Sequence, residues 1–221
     1  MKIISKANLS VDARVSECLK QAMEIYLNQI DNGIISIGLE STFQMHLSKI
    51  LTYLLDLNTY FADERFSLHL EKKTVIKNHK NYVDISINYR RNTDIREYFV
   101  ELKFKKKSDM APDLGNIESY IDIYNLDRHK QTTINVKKCY FIFLTDYEVY
   151  TTKSKKGTRK QLPMEDGCLI RKNQKYIVTG KSAKSKTVKY PSGFAFNNDY
   201  QIEYNRFDVK NKPYWYFILE I

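Results

Sequence analysis

Two short alternating runs constrain this chain more than any other feature. Tyr82-Val83-Asp84-Ile85-Ser86-Ile87 and Tyr98-Phe99-Val100-Glu101-Leu102-Lys103-Phe104 both read as strands, and each carries an acidic residue off its apolar face. A tight turn centred on Asn92-Thr93 sets Asp84 directly opposite Glu101. In that register Val83, Ile85, Ile87 and Tyr89 share a face with Tyr98, Val100, Leu102 and Phe104, while Asp84, Glu101 and Lys103 project from the other. Directly opposed residues hold their Cβ atoms ~5 Å apart, and like charges so placed are destabilising. A positive group is expected between the acids. It is either the Lys103 ammonium or a divalent cation. A register slipped by one residue would turn the acids to opposite faces, so the pairing stands or falls with that turn.

The flanking sequence predicts how such a hairpin is covered. Val11, Val15, Cys18, Leu19, Ala22, Met23, Tyr26 and Ile30 form a helical stripe that Asp31-Asn32-Gly33 ends. The short apolar run from Gly33 to Leu39 leads into a second helix bearing Phe43, Leu47, Ile50, Leu51, Leu54 and Leu55, with Ser41-Thr42-Phe43-Gln44 as a capping box at its start. Residues 66–70 and 74–76 read as strands. Pro112 opens a third helix through Leu114, Ile117, Tyr120, Ile121 and Tyr124. Cys139–Leu144 has the continuous apolar character of a strand buried on both faces. Short β-like segments follow, ending in a strand from Tyr214 to Ile221. The order predicts an α/β (α+β) fold: a central mixed β-sheet flanked by helices, with a C-terminal β-rich basic extension. At 221 residues and 43% hydrophobic, the chain has enough apolar material for one domain over 1–221, with its core at about 36–146 and the basic β-rich region at about 147–221.

Charge is distributed unevenly. Of the net +10, all of it lies in residues 151–190, which hold twelve Lys and Arg against Glu165 and Asp166; the remainder is balanced at 24 basic and 24 acidic residues. Such a field either attracts a polyanion, by releasing its condensed counterions, or belongs to a solvated lysine-rich loop. Three widely spaced cysteines argue against both a disulfide framework and a structural zinc site, and Cys18 and Cys139 read as small core hydrophobes. The four histidines lack metal-ligand spacing and read as structural or surface residues. Without a membrane-spanning run or a signal-like start, the expectation is a cytoplasmic protein with no membrane partner.

Two carboxylates converging on one point suit a hard cation such as Mg²⁺, which keeps waters as further ligands. A cation there can activate a water and stabilise charge on a phosphate under attack, and a neighbouring lysine can hold that water. Glu40 lies at the upper edge of the second helix's stripe, where it either compensates the helix N-terminus or points toward the hairpin.

Glu40, then Asp84, then Glu101-Leu102-Lys103 after a 17-residue step resembles the PD-(D/E)XK nuclease superfamily, which includes many type II restriction endonucleases. The resemblance covers residues 36–146. Asp113-x-x-Asn116-x-x-x-Tyr120 also resembles a motif seen on the following helix in relatives, with Asn116 for glutamine, and Val83 stands where the main motif has proline. The resemblance implies a restriction-endonuclease-like core, with Asp84, Glu101 and the Leu102 carbonyl as ligands of Mg²⁺, for which Mn²⁺ can substitute. Lys103 would position the attacking water and Glu40 would support a metal or a water. The reaction would be in-line hydrolysis of a DNA phosphodiester, leaving 5′-phosphate ends, by a homodimer on double-stranded DNA.

DNA contacts then fall to Lys105, Lys106 and Lys107, and to Lys153, Lys155, Lys156, Arg159, Lys160, Arg171 and Lys172. Most are expected on phosphates; Arg159, Arg171, Gln161 and Asn173 are candidates for reading bases. The competing expectations are a non-catalytic DNA-binding module, a nonspecific or structure-specific repair or phage-associated nuclease, and a nuclease acting on RNA.

Overall fold

A computed structural model describes residues 9–76, 79–177 and 193–221. The fold is α+β: a mixed six-stranded sheet in the order β1 (Glu64–Ile76), β2 (His79–Arg91), β3 (Asp94–Lys105), β4 (Val136–Thr145), β8 (Lys212–Glu220), β7 (Asn205–Val209), flanked by helices, with a separate two-stranded ribbon of β5 (Leu169–Ile170) and β6 (Tyr200–Gln201). The chain divides into two compact units. One comprises residues 1–100 and 133–138, the other residues 101–132 and 139–221.

In the first unit, α1 (Val11–Asp31) starts where Ser10 Oγ accepts the Ala13 N–H at 3.2 Å. Its stripe of Val15, Leu19, Ala22, Met23 and Tyr26 is buried. Tyr26 meets Phe43 of α2 (Glu40–Leu57) with ring centroids 4.8 Å apart. The capping box expected at Ser41–Gln44 does not form. The helix begins at Glu40, Leu39 is its N-cap, and no side chain caps it. The apolar run before it is exposed at Ile34 and Leu39.

The two strands expected at 66–70 and 74–76 are one, β1 (Glu64–Ile76). It pairs with β2 (His79–Arg91), which pairs in turn with β3 (Asp94–Lys105). The β2–β3 ladder runs from Arg91↔Asp94 to Ile85↔Val100, the register set by a turn at Asn92-Thr93. Asn92 takes the left-handed φ of 51° that the turn needs and that asparagine tolerates. At the start of β1, Glu64 is enclosed by Arg14, whose guanidinium bonds its carboxylate and the Asn58 carbonyl, and by the Tyr60 N–H at 2.8 Å.

The second unit holds α3 (Pro112–Thr132), β4 (Val136–Thr145) from Cys139 onward, the short helix α4 (Thr158–Gln161), β5 (Leu169–Ile170), β6 (Tyr200–Gln201), β7 (Asn205–Val209) and β8 (Lys212–Glu220). Pro112 occupies the first helical position, where its missing N–H costs nothing. As expected, β4 is buried on both faces, with Cys139 to Thr145 all inaccessible. Phe143 stacks on Phe217 of β8 at 5.5 Å. Around Tyr120 of α3 gather Tyr176, Phe194 and Phe196. Tyr176 and Phe194 exchange two backbone hydrogen bonds of 2.8 Å. Gly193 must be glycine: φ is 76°, and a Cβ would sit 2.3 Å from the Tyr176 carbonyl oxygen. The three cysteines are buried thiols, and burial pushes the Cys168 thiol up to about 12.

Candidate active site

Helix α2 reaches β1 and β2 at Glu71 and Asp84. Glu40 opens the helix, half-buried, and Gln44 follows one turn later on the same face. Rather than folding back to cap the helix, the Gln44 amide donates to the Asp84 carbonyl at 2.8 Å and to Glu71 Oε1 at 2.9 Å. Asp84 itself is half-buried on β2, between Val83 and Ile85, both inaccessible.

Glu71 was not anticipated. The β1–β2 ladder pairs Leu70 with Ile85 and Lys72 with Val83, so Glu71 lies across from Asp84. Its φ is 51°, left-handed in the middle of a strand. For a residue that is neither glycine nor asparagine this costs of order 1–3 kcal/mol, and such strain concentrates at functional sites. Nothing in the local sequence signals it; only the two hydrogen bonds of Gln44 reveal that helix and strand edge are joined there.

In the second unit, β3 continues through Glu101 and Leu102, both buried, to Lys103. Lys103 Nζ is 2.9 Å from Asp122 Oδ2, and Lys105 Nζ is 2.6 Å from Glu118 Oε2. The spacing is geometrically matched. Two residues along a strand advance ~6.6 Å, and four along a helix advance ~6 Å, so alternate lysines on β3 face one turn of α3. Because α3 runs back along the strand, the order is reversed, with Lys103 meeting the later acid. Neither acid was singled out from the sequence.

The Asp113, Asn116 and Tyr120 motif serves packing. Asn116 donates to the Leu162 carbonyl at 2.7 Å, Tyr120 Oη donates to that of Pro163 at 2.9 Å, and Asp113 accepts the Arg159 N–H at 3.3 Å. Gly115 between them lets Tyr150 lie against the helix, since a Cβ would meet its hydroxyl at 2.1 Å.

The basic candidates differ in availability. Lys106 accompanies a 3-10 turn at residues 107–109, with its N–H on Asp109, and the Lys107 side chain is exposed. Lys153, Lys155, Lys156, Lys160, Arg171 and Lys172 are exposed too. Arg159 is internally engaged: its guanidinium donates to the Val149 carbonyl and, at 2.6 Å, to that of Thr152. To read a base it would have to give up both. Gln161 is half-buried, while Asn173 is exposed at a φ of 58°. The rest of the basic region, 178–190 with Lys181, Lys184, Lys186 and Lys189, lies outside the described residues.

Among the described residues no three His, Cys, Asp or Glu side chains come close enough together to hold one cation. No helix among them is long and apolar enough to cross a membrane. No family model, curated protein or solved structure matches the chain.

Proposed function

We propose that the protein is a Mg²⁺-dependent DNA endonuclease of the type II restriction class, acting as a homodimer. The reading requires Asp84 and Glu101 to share a rung. The observation that supports it most is the β2–β3 ladder, which runs in the register dictated by a turn at Asn92-Thr93. No cluster of three acidic, imidazole or thiol side chains occurs among the described residues, so a metal on those acids would be held by two carboxylates, the Leu102 carbonyl and water, a hard oxygen set that suits Mg²⁺. When bound, that ion would supply Lewis-acid activation and neutralise charge on the phosphate. Lys103 would orient the attacking water through an N–H donor, with Asp122 fixing where the ammonium points. Gln44 would hold the strand backbone at Asp84 against α2.

The test is plasmid DNA incubated with Mg²⁺, with Ca²⁺ as a binding-only control, for the native protein, Asp84→Ala and Lys103→Ala. Discrete bands from the native protein alone are expected. A smear would indicate a nonspecific nuclease, and no cleavage of varied DNA with either Mg²⁺ or Mn²⁺ would overturn the reading.

The Lys103–Asp122 ion pair favours a second reading, a nucleic-acid-binding module in which these charges only brace β3 against α3. It predicts salt-sensitive DNA binding that is indifferent to divalent metal and to Asp84→Ala.

A further inference from the structure

An open cavity of about 510 Å³ lies in the second unit, where the chain leaves β3 and β4 and where β8 begins. Its wall includes Trp215, Tyr147 and Pro213, with Lys107, Lys212 and Asp146 around them. The volume falls within the roughly 300–1,000 Å³ of small-ligand sites. Trp215 is the only tryptophan in the chain. It is paired on both sides, with Thr145 of β4 and Arg206 of β7, so its backbone belongs to the sheet and the indole stands on a rigid platform.

The neighbouring groups are fixed as well. Asp146 accepts the Lys107 N–H at 2.6 Å. Thr145 Oγ1 accepts the Tyr147 N–H at 3.0 Å and donates to the Lys105 carbonyl at 2.6 Å. The Tyr147 ring meets buried Tyr150 edge-on at 6.2 Å. Half-exposed aromatic surface, two exposed ammonium groups and the oriented Asp146 carboxylate are therefore held together by the sheet and its turns.

We infer that this cavity takes one unstacked nucleobase of a DNA strand, with the flanking phosphates on Lys107 and Lys212. A base presents a π-face to the indole and polar edges to its surroundings, and stacking on an aromatic side chain tolerates any base. The carboxylates of Asp146 and Glu148, which also line the cavity, repel phosphate but accept N–H from the exocyclic amines of adenine, cytosine or guanine. That separates the two halves of the ligand. Phosphate goes to the lysines at the rim, and the base goes to the aromatic wall. Lys107 follows Lys103 by four residues along the same chain, so the inference names a substrate contact for the nuclease reading and rests on it for its biological setting. The binding itself requires no catalysis.

The sole tryptophan makes the test optical. In EDTA, a single-stranded heteropolymer oligonucleotide is titrated while tryptophan emission is followed, beside a fully paired duplex and deoxynucleoside monophosphates. Saturable quenching by the single strand is expected, with monophosphates weaker. Lys107→Ala with Lys212→Ala should weaken binding by about tenfold and flatten the slope of log K against log salt by about 1.4. In anisotropy titrations of labelled oligonucleotide, Trp215→Phe should retain most of the affinity and Trp215→Ala should lose about tenfold, with unfolding curves confirming that both variants fold. Binding of the single strand with unchanged emission, or equal affinity of the folded Trp215→Ala variant, would overturn the inference. Quenching by monophosphates as tight as by the strand would also overturn it, making the site one for free nucleotides. Quenching without any plasmid cleavage would remove the nuclease reading and leave this one standing.

Discussion

The first and second units use charge in opposite ways. In the first, Arg14 and Glu64 are sealed inside, with side chains 4% and 0% exposed, and the carboxylate accepts from the Arg14 guanidinium and the Tyr60 N–H. In the second, charge is graded outward from β3. Lys103 and Lys105 are largely covered and pinned by α3, Lys107 and Lys212 line a cavity, and Lys153, Lys155 and Lys156 are exposed on the surface. Desolvated charge fixes geometry, because it cannot exchange its partner for water. Exposed charge attracts a polyanion and yields it again as salt rises. The same side-chain types thus serve folding in one unit and, on the reading proposed here, substrate in the other.

The largest effect that would break this contrast is in the first unit. Glu64→Ala leaves a guanidinium buried without its counter-charge and is expected to cost ~3–5 kcal/mol in urea unfolding. Arg14→Met combined with Glu64→Leu should recover much of that, because the pair's attraction mostly offsets its own desolvation. Acidity probes the same centre. Burial alone would raise the Glu64 carboxyl, but Arg14 and the Tyr60 N–H outweigh it, and the group is held below its ordinary value of 4.5. Asp12 is likewise held below 3.8: burial is opposed by Tyr98 and Arg96. A depressed carboxyl contributes stability that is present above its unfolded value and lost as pH falls through the folded one. Stability should therefore decline below about pH 4.5, and Glu64→Gln should flatten that acid limb in denaturation followed by circular dichroism.

Next in size comes the inner lysine. On the proposed nuclease reading, Lys103→Ala should lower cleavage at least ~100-fold with DNA affinity little changed, as measured by single-turnover digestion beside filter binding. Asp122→Asn separates positioning from bracing: a smaller loss of cleavage with an unaltered melting temperature supports positioning, whereas a lost melting temperature with proportional cleavage supports bracing. The outer lysines should behave differently again. Replacing Lys153, Lys155 and Lys156 with alanine should leave stability untouched and flatten the salt slope of duplex binding by about 2.7.

How much of this could be read beforehand follows from the range of each interaction. The β2–β3 register was legible because a two-residue turn and two matching apolar faces are local constraints that agree. The stripe of α1 and the doubly buried β4 were legible for the same reason. The capping box expected at Ser41–Gln44 fails because Ser-x-x-Gln carries that meaning only if Ser41 is the N-cap, and the N-cap is Leu39, two residues earlier. The strain at Glu71 and the cavity lined by Trp215 arise from strands and loops far apart in the chain, for which no short pattern exists. Asp122 lay in between. Its match of four helical residues to two strand residues is visible once α3 is known to run back along β3.

The smallest expected effect sharpens the contrast most, because it isolates exposed charge on a strand. Arg206 and Asp208 form an ion pair at 3.0 Å with side chains 64% and 54% exposed. Solvent screens such a pair, so Asp208→Ala should change stability by less than ~0.5 kcal/mol, against several for Glu64. Yet Arg206 is the cross-strand partner of Trp215 and shares its face of the sheet. Removing Asp208 frees a guanidinium beside the indole without disturbing the fold. If the outer charges of the second unit are held for phosphate, Asp208→Ala should bind single-stranded DNA about twofold more tightly, the gain disappearing at high salt. An unchanged affinity at low salt would show that the Arg206 side of β8 takes no part, and would confine the cavity's phosphate contacts to Lys107 and Lys212.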